Sequence, residues 1–75
     1  MLKVVVKLFA SLRNAGEKEL TLEVDEASTV LDIIDILEIP MENVAIIMIN
    51  GRRKEAGTEI FNHDIVSLFP PVGGG

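Results

Sequence analysis

The chain has 75 residues, 48% of them apolar and 25% charged, with a net charge of −5 and no cysteine. That length holds one small domain with a thin core, and it argues against an enzyme with a deep enclosed pocket. The missing cysteines exclude disulfides, thiolate metal sites and cysteine nucleophiles, and suit a reducing, cytoplasmic setting. The longest apolar run, Val44–Ile49, is six residues, far short of a membrane span.

Leu2 to Phe9 is rich in β-branched residues and apolar on nearly both faces, the pattern of a central strand. Asn14, Ala15 and Gly16 supply a turn or loop. Glu19 to Val24 then alternates, with Leu20, Leu22 and Val24 on one face and Glu19, Thr21 and Glu23 on the other. It reads as a half-wet strand hairpinned to the first. The period changes at Thr29, a candidate N-cap with Asp32 three residues on in the capping-box position. Val30, Ile33, Ile34 and Leu37 follow helical spacing and Asp32, Asp35 and Glu38 form the polar stripe, predicting about three turns closed by Pro40. Val44 to Ile49 reads as a buried strand, followed by the tight-turn pair Asn50-Gly51 and the basic cluster Arg52-Arg53-Lys54. Phe61 to Asp64 is a loop or turn, and Ile65 to Phe69 is the last strand before Pro70 and Pro71. Two strands, one helix, then two or three strands predict a two-layer α+β domain: a mixed four- to five-stranded sheet with the helix on one face. The pattern assigns 1–69 to this domain and 70–75 to a C-terminal tail.

The charge is unevenly placed. Between Glu17 and Glu42 stand nine acids against the single base Lys18. Such a face repels a phosphate backbone, so nucleic-acid binding is not expected. It either steers a basic protein partner or serves as a solvated surface.

Side chains offer little chemistry. His63 is the only histidine and has no cysteine to share a metal with; its neighbours Asn62 and Asp64 suit a turn, and no metal site is expected. The paired carboxylates lie on exposed stripes, without the burial or the pocket that acid–base catalysis requires. Ser11, Ser28 and Ser67 have no histidine near in sequence, and Gly16, Gly51 and Gly57 stand alone, with no phosphate loop. By this inventory the chain is not an enzyme on its own.

The tail Pro70-Pro71-Val72-Gly73-Gly74-Gly75 is different. Three glycines without Cβ atoms can enter a channel too narrow for side chains. The prolines stiffen the exit from the domain. Extended, the segment reaches about 20 Å at roughly 3.3 Å per residue. Such a tail is suited to delivery into another protein's active site; the plain alternative is a frayed terminus. An α-carboxyl titrates near about 3.3–3.7 and is a carboxylate at neutral pH, a poor electrophile that a partner must activate, for example as an acyl-adenylate. Strand alternation adds one more feature. Lys7 and Ser67 mark the wetter sides of the first and last strands, which puts Phe9 and Phe69 either on the face away from the helix, as a docking patch, or buried at the edge of the core.

The ending Leu68-Phe69-Pro70-Pro71-Val72-Gly73-Gly74-Gly75 resembles the C-terminus of the MoaD/ThiS family of ubiquitin-like sulfur carriers, with its Phe-Pro-Pro-Val-x-Gly-Gly pattern. Lys7-Leu8-Phe9-Ala10-Ser11-Leu12-Arg13 resembles the family's first strand and following turn, and Asn62-His63-Asp64 stands where an Asp-Gly-Asp is usual. Leu37-Glu38-Ile39-Pro40 through Asn43-Val44-Ala45 to Ile49-Asn50-Gly51 is more similar to the ThiS branch. The resemblance implies a β-grasp fold and adenylylation of Gly75 by an ATP-dependent MoeB/ThiF-type adenylyltransferase. It then implies a Gly75 thiocarboxylate that donates sulfur. In the MoaD reading the acceptor is a pterin precursor on a MoaE-type large subunit of molybdopterin synthase; in the ThiS reading it is a thiazole synthase. No cofactor is bound, ATP being used by the activating partner. Carried over by position, Phe9, Phe69, Pro70 and Pro71 match the partner-docking surface, and Val72, Gly73 and Gly74 with Gly75 match the inserted tail. A ubiquitin-like modifier conjugated through Gly75 to lysines is the alternative from another class, and a plain interaction domain with an inert tail is a third.

Overall fold

The computed structural model describes residues 1–12 and 18–71. Five strands, β1 (Leu2–Leu8), β2 (Glu19–Val24), β3 (Ile46–Ile49), β4 (Arg52–Lys54) and β5 (Ile65–Phe69), form one sheet in the order β2-β1-β5-β3-β4. β1 pairs antiparallel with β2 and parallel with β5, while β3 pairs antiparallel with both β4 and β5. The helix α1 (Val30–Ile36) crosses one face. This is the mixed sheet with a single helix expected from the sequence, in the β-grasp arrangement that the family resemblance implies.

The core lies between α1 and the sheet. Val4, Val6 and Leu8 of β1, Val66 and Leu68 of β5, and Ile47 and Ile49 of β3 point the same way and meet Val30, Ile33 and Ile34 of α1. Ile60, in the loop before β5, is fully buried with them. Every second residue of each strand is spent on this layer because side chains alternate across a sheet. Each such side chain contributes roughly 1.5–3 kcal/mol by leaving water.

The helix starts as its sequence predicts. The Thr29 N–H donates to Asp32 Oδ2 at 2.7 Å, and the Thr29 hydroxyl reaches the same oxygen at 3.3 Å. The N–H groups of Val30 and Leu31 donate to the carbonyls of Thr58 and Ala56, so the loop before β5 holds the first turn against the domain.

Its end differs from the prediction. α1 spans seven residues, about two turns, and stops before Pro40 acts. Glu38 takes φ +58°, its N–H donates to the Asp35 carbonyl, and the Ile39 N–H reaches back to the Ile34 carbonyl at 3.1 Å. That is a Schellman ending with glutamate where glycine is usual. The third strand is also shorter than its apolar run, because Met41–Asn43 forms a 3-10 turn that Val44 closes by donating its N–H to the Met41 carbonyl. The Asn50-Gly51 turn forms as read, with φ +54° and +84°, both positive as a type I′ hairpin requires. The Asn14-Ala15-Gly16 turn lies outside the described residues.

Candidate functional site

The face of the sheet away from α1 is open. Because Val6, Leu8, Val66 and Leu68 point into the core, their neighbours Val5, Lys7, Ile65, Ser67 and Phe69 point out of the opposite side. The registers place these residues in rows across the sheet. One row runs Glu19, Lys7, Ser67, Met48, Arg53; the next toward the C-terminal end of β5 pairs Phe69 with Ile46. The result is a half-buried apolar band of Val5, Met48, Ile46, Phe9 and Phe69, with Ile65 exposed at its end and charges at the flanks.

Phe9 and Phe69 meet within this band. Their ring centroids lie 4.3 Å apart with planes 13° from parallel, a stacked pair. The parallel pairing of β1 with β5 brings them together, since Leu8 lies beside Leu68. Both residues are tied by their backbones: the Phe9 N–H donates to the Leu68 carbonyl at 3.2 Å and the Ala45 N–H donates to the Phe69 carbonyl at 2.8 Å. Just after Phe9, Ala10 adopts φ +53° and turns the chain into a 3-10 turn whose Leu12 is buried. Of the two positions the sequence allowed for these rings, the open face is the one they occupy.

Phe69 ends β5, and Pro70, half-buried, and Pro71, exposed, follow it. Lacking an N–H, neither proline can continue the ladder. The chain therefore leaves the sheet directly beside the aromatic stack. Val72, Gly73, Gly74 and Gly75 lie outside the described residues.

The remaining residues singled out from the sequence serve the fold. His63 is exposed at φ +71°, and its backbone N–H donates to the Lys3 carbonyl at 2.7 Å. Asp64 accepts from Asn50 Nδ2 and from the Phe61 N–H, both at 2.9 Å, and Asn50 Oδ1 accepts from the Ile65 N–H. This cluster closes the turn before β5 onto the β3–β4 hairpin. Ser28, buried, donates its hydroxyl to the Asp25 carbonyl at 2.6 Å. Alternation in the first and last strands already put Val5 with Lys7 and Phe9, and Ile65 with Ser67 and Phe69; sequence reasoning missed Ile46 and Met48 as members of the open band. Alternation with Ile47 and Ile49 marks the outward residues of β3, but only the strand order puts them beside Phe69.

The fold and the sequence both have known counterparts. A structure from Pyrococcus furiosus assigned as molybdopterin converting factor, subunit 1, is 31% identical with a TM-score of 0.77, over 96% of this chain and 100% of that one. Small archaeal modifier protein 1 of Haloferax volcanii is 27% identical with a TM-score of 0.80, again over 96% and 100%. A chain in the complex of subunits 1 and 2 of the molybdopterin-converting factor of Helicobacter pylori 26695 matches at 22% identity and a TM-score of 0.68, covering 99% of this chain and 100% of that chain, a likeness of fold alone. No curated protein sequence matches the chain significantly. The profile of the ThiS family matches residues 6–75, and the chain belongs to the ThiS family.

Proposed function

We propose that the protein is a sulfur carrier whose reactive group is the C-terminal carboxylate of Gly75. The observation that carries this reading is the family match through residue 75, which includes the whole Pro-Pro-Val-Gly-Gly-Gly segment. A MoeB/ThiF-type adenylyltransferase joins the Gly75 carboxylate to the α-phosphate of ATP and releases pyrophosphate. A sulfur donor then attacks the acyl carbon and AMP leaves. The thiocarboxylate sulfur bonds to an acceptor, and water attacks the acyl carbon, breaks its bond to that sulfur and regenerates the carboxylate.

In this mechanism the folded domain supplies no acid, base or nucleophile. Its work is presentation. The Phe69 carbonyl is held by the Ala45 N–H, the Phe9 ring stacks on the Phe69 ring, and Pro70 and Pro71 end the ladder where the tail begins. The open band around the stack is the surface on which the partner sits, with half-exposed aromatics as its anchors. The preferred partner for sulfur delivery is a MoaE-type large subunit of molybdopterin synthase. The likeness to the Pyrococcus converting-factor subunit supports that choice over a thiazole synthase.

The similarity to small archaeal modifier protein 1 supports a second reading, conjugation of Gly75 to a target lysine. Both readings begin with the same adenylate and diverge at the nucleophile: sulfur in one, a lysine ε-amine in the other. Incubation with an activating enzyme, ATP and a sulfur donor, followed by intact-mass measurement, separates them. An oxygen-to-sulfur mass change on the free protein supports the carrier, and a Gly75–lysine isopeptide in digests without that change supports the modifier.

A further inference from the structure

The helix side of the domain carries a second surface, separate from the open band and the tail. Three large apolar side chains stand out of it: Leu31 is 44% exposed, Ile36 55% and Met41 45%. Isolated apolar residues at a surface are ordinary. Leu31 and Met41, however, are the walls of one groove of about 410 Å³, floored by Ile34 and Ile39 and rimmed by Asp32 and Asp35. Leu31 therefore departs from the buried stripe of α1 without joining a solvated polar face.

The charged residues that line the groove, Asp32 and Asp35, are both acidic, while Arg53 and Lys54 lie beyond the Met41 wall. From Asp25 to Glu42 the chain holds six acids and no base. Asp32 is engaged at the helix start with Thr29, whereas Asp35 and the exposed Glu38 and Glu42 are set on the outer side of the helix and the turn that follows it. A groove with aliphatic walls and acids on its α1 rim selects its occupant by both properties: aliphatic side chains lose water against Leu31, Ile34, Ile39 and Met41, and flanking cations are drawn to the α1 side.

We infer that the groove between α1 and the Met41–Asn43 turn is a docking site for a segment of a partner protein in which Leu-, Ile- or Met-type anchors alternate with Lys or Arg. The surface lies on the opposite side of the sheet from Phe9 and Phe69, so it can be occupied while the open band and the tail are engaged. It does not rest on the sulfur-carrier reading.

The test uses the full-length chain and a random peptide library displayed on phage, counter-selected against a Leu31→Ser/Met41→Ser variant. Selected peptides should combine basic and aliphatic residues. Their affinity should fall at least about tenfold for the double serine variant, as loss of central apolar anchors does. It should fall a few-fold, roughly threefold, for Asp35→Asn/Glu42→Gln, and weaken with added salt. Ile36→Ser, which removes an exposed apolar side chain of the same helix outside the groove, and Phe69→Ser should leave it unchanged. Thermal melts of each variant check that the domain is folded. Selected peptides with no basic bias, binding that survives the double serine change, binding lost with Phe69→Ser, or a library that yields no groove-dependent binder would overturn the proposal.

Discussion

The two faces of the sheet are built from the same strands yet use their residues differently. On the helix side Val4, Val6, Leu8, Val66 and Leu68 are wholly or almost wholly buried. On the other side Val5, Lys7, Ser67 and Phe69 from the same two strands are only half-buried. A sheet with one helix can bury one face in a chain this short. The second face is left with apolar residues that no part of the described domain covers, and the chain leaves the sheet at that face. A domain that had only to fold could place polar residues there; the Phe9–Phe69 pair is better explained by something that docks.

If one face is for folding and the other for binding, substitutions on them should separate into two kinds. Leu68→Ala, on the covered face, should destabilise the domain by about 3 kcal/mol through lost burial and a cavity. That is a large share of the stability of a small domain, and urea melts should show it as a markedly lower midpoint. Phe69→Ser, one residue later on the open face, should weaken binding of the large-subunit partner about thirtyfold, near 2 kcal/mol, read by calorimetry. Its effect on the urea midpoint should be smaller than that of Leu68→Ala, since the stack itself is worth about 0.5–1.5 kcal/mol. Equal loss of stability from both changes would break the comparison.

Two smaller effects sharpen the account of the covered face. Asp32→Ala removes the carboxylate that accepts from Thr29, and should cost about 1 kcal/mol of stability without changing partner affinity. Glu38→Gly should stabilise by a few tenths to about 1 kcal/mol, because glycine adopts the φ +58° of the helix ending without the Cβ penalty. A rise of a few degrees in the melting temperature is the expected reading.

Much of this arrangement is legible from local pattern. Glu19–Val24 and Ile65–Phe69 form as strands over those same residues, because period-two alternation and the prolines mark them. Lys7 and Ser67 sit among apolar neighbours and identify the wetter face of their strands. The misreadings have particular causes. The helix ends a turn early because Glu38 takes a left-handed conformation that its residue type does not announce. β3 loses Val44 and Ala45 because an apolar run reports burial, not strand geometry. β4 is three charged residues with no alternation to detect; what makes it a strand is the Asn50-Gly51 turn folding it onto β3. The contact of Phe9 with Phe69 depends on the parallel register of β1 and β5, which sequence separation hides from any local pattern.

The central claim is that the domain exists to present Gly75. Its most direct test is the intact mass of the purified chain after reaction with an activating enzyme, ATP and a sulfur donor, run beside a chain lacking Gly74 and Gly75. The account predicts replacement of one oxygen by sulfur on the full chain, localised to the C-terminal peptide, and no change on the shortened one. An unaltered mass on the full chain with an activating enzyme that binds it, or the same sulfur gain on the shortened chain, would contradict it.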